Sequence, residues 1–276
     1  MIGWGHAIVL GIVQGLTEFL PISSSAHVRI VSALLGWPDP GAAFTAVTQL
    51  GTETAVLIYF RKDIREIVTT WLESLRRPAV RREPAARIGW YVIFGTIPIG
   101  LLGLLLQNSI DTTFRDLRLI SATLIVFGLV LGFADARGDG KRTMDDLNLR
   151  DSLAIGLAQC LALIPGVSRS GGTISAGLLL GYSREAAARY AFLLALPAVF
   201  ASGLLELTKI GGSDAAPAWG PTILATLIAF VIGYAVIAWL LRYLSHGSFR
   251  PFVIYRLVLG VVLLVLVAVG AVPALP

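Results

Sequence analysis

Charge is scarce in this chain. Asp, Glu, Lys and Arg together make up 14% of its 276 residues, whereas a soluble globular domain carries about 25%. With 56% hydrophobic residues and a mean hydropathy of +0.79, a water-soluble fold is excluded and an integral membrane protein is expected. Cysteine is nearly absent. Cys160 stands alone, which leaves no disulfide framework and no thiolate metal site, only a small core residue. Histidine is limited to His6, His27 and His246, with no HExxH and no His/Cys cluster, so zinc has no ligand set. A GxxxxGK[ST] nucleotide loop is missing as well. The amino terminus lacks a basic stretch ahead of its first apolar run, so no cleavable signal is expected.

What the chain has instead is a repeated stretch. GIVQGLTEFLPISSSAH at 11–27 is echoed by GLAQCLALIPGVSRSGGT at 156–173, with Gly11 over Gly156, Gln14 over Gln159 and Leu16 over Leu161. After a one-residue slip Pro21 meets Pro165, and a run of Ser and Gly follows in both. Each copy reads as an apolar half-helix, a proline break, a polar loop and a second half-helix ending at LLG (34–36) or LLLG (178–181). Neither half reaches the roughly 20 apolar residues a bilayer requires. The expectation is two re-entrant hairpins, at 7–36 and about 152–181, whose polar tips meet inside the membrane; the alternative is that each hairpin is a bent span, which with six full spans would give eight crossings.

Apolar runs at about 43–60, 88–106, 118–134, 186–207, 220–241 and 252–272 predict six full spans. The fold class is therefore an all-α polytopic membrane protein in one domain. An odd number of spans per half forces opposite orientations, so repeat one (about 1–134) and repeat two (about 135–276) form an inverted-topology repeat with a site near the midplane. The net charge of +5 and pI near 9.7 do not point to nucleic acid, because the cations cluster in loops. The segments 61–87 and 135–151, and a loop at 242–256 holding Arg242, Arg250 and Arg256, are predicted to be cytoplasmic, with both termini outside. Loops around Asp111, Arg115 and Asp116 and at 208–221 fall on the other side. Trp37 in the GWPDPG turn suits the interface.

Gln14 and Glu18 lie four apart on one helical face, with Gly11 and Gly15 beside them leaving room for close approach. A carboxylate at such depth is by default functional. Its hard oxygen, with that of Gln14, suits Mg²⁺ or Ca²⁺ shared with a phosphate. Ser23, Ser24 and Ser25 precede a helix expected at 26–35, and Ser168, Arg169, Ser170, Gly171, Gly172 and Thr173 precede one expected near 173–181. Two hydroxyl-rich helix starts converging in a low-dielectric site make an anion trap. Arg169 adds a planar cationic fork that matches phosphate oxygens. Structural alternatives are ordinary capping and an Arg169–Glu18 ion pair. His27, three residues after Ser24, suggests a hydroxyl activated by an imidazole; attack by His27 itself or by metal-bound water remain as alternatives. His6 and His246 are expected at the interface or in loops. Glu53, four after Gln49, is a second buried acid, either supporting the site or pairing with an Arg.

At these residues the chain resembles the undecaprenyl-diphosphate phosphatase family, the bacitracin-resistance type of integral membrane phosphatase. QGLTEFLPISSSAH fits that family's [E/Q]xxxE pattern with its Ser-rich run and His, and PGVSRSGGT fits PGxSRSxxT; the similarity covers nearly the whole length. The resemblance implies hydrolysis of the C55 isoprenyl diphosphate to the monophosphate in the plasma membrane, recycling the lipid carrier for cell-wall synthesis. It places Gln14, Glu18, Ser24, His27, Ser168, Arg169, Ser170 and Thr173 on the family's functional positions. Gln14 stands where many members carry Glu, which keeps an oxygen ligand and drops a charge. The expected partners are the isoprenyl diphosphate and the bilayer, with a homodimer open. The rival reading is a transporter or flippase of an anionic isoprenyl lipid, which would need Arg169 and the helix ends but not Ser24 and His27.

Overall fold

The computed structural model describes residues 2–106, 116–210 and 218–275. The segments carrying Asp111, Arg115 and Asp214 lie outside them. Eleven α-helices account for most of the described chain. In the first half these are α1 (Trp4–Thr17), α2 (Ser24–Leu34), α3 (Gly41–Tyr59), α4 (Arg61–Arg76), α5 (Pro84–Leu105) and α6 (Leu117–Arg137). In the second they are α7 (Leu149–Cys160), α8 (Arg169–Leu179), α9 (Arg184–Ile210), α10 (Trp219–Leu244) and α11 (Arg250–Ala268).

Five of these, α5, α6, α9, α10 and α11, are long and apolar enough to cross a membrane. The sixth expected span falls on α3, 19 residues long, which is not among the five and is diluted by Thr48, Thr52 and Glu53. All three are buried, so its polar face turns into the protein and not toward lipid. The expected apolar half-helices are α1 and α2, and α7 and α8. Gly36 and Gly181 end α2 and α8 with positive φ of 66° and 86°, a left-handed turn that glycine adopts without penalty. The polar stretch 61–87 is not a loop. Its first part is α4, held to the next turn by the Arg81 side chain, which donates to the Ser74 carbonyl. Thr143 and Asp146 close a reciprocal cap over Met144–Asp146, and the bonds from Thr143 hold the Asp146 carboxyl below its usual range.

The centre of the bundle is α9, 56% of whose span is buried against 22–39% for the other four. Helices α3 and α5 lie against it. Small residues set the closest crossings, as expected where lipid gives no hydrophobic drive between helices. A Cβ at Gly11 would sit 2.7 Å from the Ala225 carbonyl oxygen of α10, and one at Gly51 would overlap that of Thr226. In the other half, Gly156 of α7 packs directly on the backbone of Gly95 in α5.

The helix ends sort by charge. Arg184 at the start of α9 bonds Asp135 near the end of α6 at 2.5 Å, and Asp135 also accepts from the Phe249 amide before α11. Arg189 reaches Asp63 of α4 at 2.7 Å. At the opposite end, Trp4 packs on Gly220, His6 lies tilted against Trp37 with centroids 4.1 Å apart, and the Leu117 amide donates to the Ala274 carbonyl. Arg256 corrects the sequence reading. It was expected in a cytoplasmic loop; it lies in the second turn of α11 and is fully buried.

Candidate active site

Both tips are turns made at proline. The helix preceding each tip ends at Thr17 or Cys160, and the helix after it begins at Ser24 or Arg169. The polar residues therefore form the first turns of α2 and α8, two to four residues earlier than the sequence suggested. Ser23 and Ser168 occupy the same place in the two tips and share an unusual backbone, with φ of 74° and 71°. A non-glycine residue held there costs about 1–3 kcal/mol, which the surroundings must offset.

The tips brace each other. Ser23 Oγ accepts from the Gly166 amide at 3.1 Å, while Ser170 Oγ donates to the Leu20 carbonyl at 3.2 Å. Because Ser23 Oγ faces the other tip, it gives α2 no side-chain cap, and the leading amides of α2 stay free of a competing oxygen from that residue. In α8 the Gly171 amide is capped by Ser168 Oγ at 3.1 Å. Uncapped amides and the helix dipole favour an anion at the start of α2. Ser25 is half-buried beside Ser23, with their hydroxyls 3.4 Å apart.

Glu18 is the hub. Its Oε2 accepts from Gln14 Nε2 and from Ser24 Oγ, each at 2.6 Å. Its Oε1 accepts from Arg169 Nη2, which also bonds Glu53 Oε1 at 2.9 Å. The Arg169–Glu18 pair, the structural alternative in the sequence reading, is present, and Glu53 is its third member. Glu18 and Glu53 are 8% and 1% exposed, so these charges hold together because removing one partner would strand the others in a low dielectric. Both contacts use one of the three guanidinium nitrogens of Arg169. Phe19, Val56 and Phe192 form the apolar wall of the small cleft over Glu18, Glu53 and Arg169.

Other expected residues do different work. His27 does not meet Ser24 in a hydrogen bond. Its Nδ1 lies 2.7 Å from the Ser23 carbonyl, which can only accept, so Nδ1 carries the proton and Nε2 receives the Tyr255 hydroxyl at 2.7 Å. The sequence pairing of Ser24 with His27 is replaced by Ser24 with Glu18. Thr173 is buried and its hydroxyl returns to the Arg169 carbonyl at 2.8 Å. Gly172 lets α8 approach the Ala158 carbonyl of α7, and Gly171 faces Arg256. His246 lies in a loop against Ser245. Tyr255 and Arg256 were overlooked as site residues, although a polar pair inside the apolar run 252–272 was the available signal.

Among the described residues of this site, two buried oxygens have no partner, Gln14 Oε1 and Glu53 Oε2. Among the described residues no group of three or more His, Cys, Asp and Glu gathers as a metal cluster. The donors present, two carboxylates and an amide oxygen, suit a hard cation that completes its shell with water and substrate oxygen.

Residues 7–262 match the protein family described as Bacitracin resistance protein BacA. The chain is 65% identical to "Undecaprenyl-diphosphatase 2" of Frankia casuarinae, with 95% of this chain and 94% of the relative covered. It is 62% identical to "Undecaprenyl-diphosphatase 3" of Frankia alni, over 96% and 95%. With "Undecaprenyl-diphosphatase" of Thermobifida fusca the identity is 61%, over 96% of this chain and 90% of the relative. A likeness of this extent, whose family match includes both tips, makes the chain a member of the bacitracin resistance protein BacA family.

Proposed function

We infer that this protein is a multi-pass membrane undecaprenyl-diphosphatase, which releases phosphate from undecaprenyl diphosphate and returns the monophosphate carrier. The observation that carries the reading is the contact of Ser24, Glu18 and Arg169 across two buried tips. A nucleophile-grade hydroxyl, a base touching it and a phosphate-type cation meet there in one apolar setting. A carrier of anionic lipid would have no use for the Ser24–Glu18 bond. Purified protein in detergent, supplied with undecaprenyl diphosphate, is expected to release one phosphate per substrate; no release would overturn the assignment.

The catalytic set is Glu18, Ser24 and Arg169. Ser24 Oγ attacks the terminal phosphorus, its proton passes to Glu18 Oε2, and the lipid monophosphate leaves with the bridging oxygen. That departing oxygen takes the proton from Glu18, which then draws a proton from the water attacking the phosphoserine; inorganic phosphate leaves and Ser24 Oγ takes the proton back. Arg169 binds the phosphoryl oxygens through the nitrogens not engaged by the carboxylates, and the α2 amides add partial positive charge. Phosphoryl transfer is catalysed chiefly by such positioning and neutralisation. His27 supports the Ser23 turn from behind and is not the base.

A divalent cation, Mg²⁺ or Ca²⁺, belongs to the proposal, held by Glu18 and Gln14 with Glu53 beside them. The unpartnered Gln14 Oε1 and Glu53 Oε2 support it. When bound, the ion would neutralise phosphate charge. Turnover is expected to fall with EDTA and to return with Mg²⁺ or Ca²⁺.

The inverted repeat with two re-entrant hairpins is the architecture proposed to hold this site. Its support is pairwise. Helix α1 packs on α10 as α7 packs on α5, and α3 on α10 as α9 on α5. The first hairpin enters and leaves at one end, where His6 packs against Trp37. The second does so at the other, where Arg142 joins Asp151 at the start of α7 to the Leu180 carbonyl after α8.

A further inference from the structure

Arg256 is the largest fully buried side chain among the described residues, and every hydrogen bond it makes there goes to a carbonyl. Nε donates to Leu124 at 3.2 Å. Nη1 donates to Pro21 at 2.9 Å and Val167 at 3.1 Å. Nη2 donates to Gly166 at 2.6 Å and Thr123 at 3.4 Å. These five oxygens belong to three separate pieces of chain: the first tip, the second tip and the middle of α6.

A helix broken at membrane depth leaves carbonyls that no amide of its own can reach, and each costs several kcal/mol unless another donor arrives. One planar guanidinium answers that need at both breaks together. An ammonium, with three donors at a point, could not span the same set. The fit is close, since a Cβ on Gly171 would stand 3.1 Å from Arg256 Nη1; the first glycine of the Gly171–Gly172 pair leaves space for this side chain.

We propose that Arg256 is a positioning residue that fixes the two tips relative to each other, and so sets Ser24 and Glu18 of the first against Arg169 of the second. It touches no reacting atom. The inference rests on the phosphatase reading for its catalytic consequence, but the placement of the tips can be measured without activity. Small displacements at the reacting centre are expensive, with about 1 Å costing on the order of a hundredfold.

The test compares wild type, Arg256→Lys and Arg256→Gln, purified in detergent. Phosphate release from undecaprenyl diphosphate should show kcat lowered about ten- to a hundredfold, with KM within about threefold and melting near wild type. Nitroxides on cysteines introduced at the exposed Leu16 and Leu161, in a Cys160→Ser background, report the separation of the helices entering the two tips. A single narrow distance in wild type should broaden or shift in both variants, Gln more than Lys. Wild-type kcat with an unchanged distance in Arg256→Lys would overturn the proposal. So would loss of folded protein in both variants, since Arg256 would then serve folding alone. An inactive wild type would sink the phosphatase reading and leave the distance measurement to judge Arg256.

Discussion

Arg169 bonds two carboxylates through a single nitrogen, so its role is decided by geometry as much as by charge. Arg169→Lys keeps the charge but loses the fork, and turnover is expected to fall about a hundredfold, the scale seen when one preorganised donor is removed. Near-normal phosphate release would disprove the fork-on-phosphate role. Ser24→Ala should abolish turnover. His27→Ala and Tyr255→Phe should each cost much less, Tyr255→Phe the less of the two, because it breaks only the bond they share whereas His27→Ala also frees the Ser23 carbonyl; their double variant should be no worse than His27→Ala. Acid-quenched enzyme with labelled diphosphate should yield phosphoserine at Ser24. A His27→Ala loss as complete as that of Ser24→Ala would restore the imidazole to the chemistry. Gln14, Glu18 and Arg169 were legible in sequence, since the first two share a helical face and all three stand at buried breaks. The partner of Ser24 was not, because Glu18 returns to it over the turn 18–23, and linear spacing does not encode that path.

At the scale of elements, the sequence located every half-helix and placed their starts two to four residues late. Serines and Arg169 read as a loop before a helix, yet they are its first turn, where hydroxyls and a charge are tolerated by free amides. It also counted Arg256 with the loop cations Arg242 and Arg250; a single charge within an apolar helix resembles a loop until the five carbonyls around it are seen. The crossings of helices were not legible at all. Which glycines matter depends on what approaches them. Gly156→Ala should destabilise by about 1–3 kcal/mol, because the new methyl overlaps the Gly95 backbone. Gly100→Ala, also in a spanning helix but with nothing within 4 Å of the added carbon, should be neutral or more stable, by up to about 1 kcal/mol. Melting of the two variants in detergent checks this, and equal losses would show that helix propensity, not packing, governs both positions.

For the whole molecule, the distribution of cations gives direction. Of the 22 Lys and Arg residues, only Arg29, Arg115, Arg118, Arg169, Lys209 and Arg256 lie outside 61–87, 137–150, 184–189 and 242–250. Contacts gather those four stretches at one end of the bundle, through Asp135–Arg184, Asp63–Arg189 and Asp135 with the Phe249 amide. The positive-inside rule then predicts that this end is cytoplasmic. Both termini should lie outside, since Trp4 sits by Gly220 and Ala274 by Leu117 at the opposite end. Single cysteines at Gly3, Pro38 and Leu275 should react with an impermeant maleimide on intact cells, in a Cys160→Ser background. Cysteines at Ala79 and Lys141 should react only after permeabilisation. The pairing of Gly3 with Pro38 is the sharpest part. If each hairpin were one bent span, the chain would cross eight times, 38 would emerge on the far side from 3, and the two sites would label oppositely. Equal labelling of both sites from outside requires the chain to turn back within the membrane, at the depth where Glu18 meets Arg169.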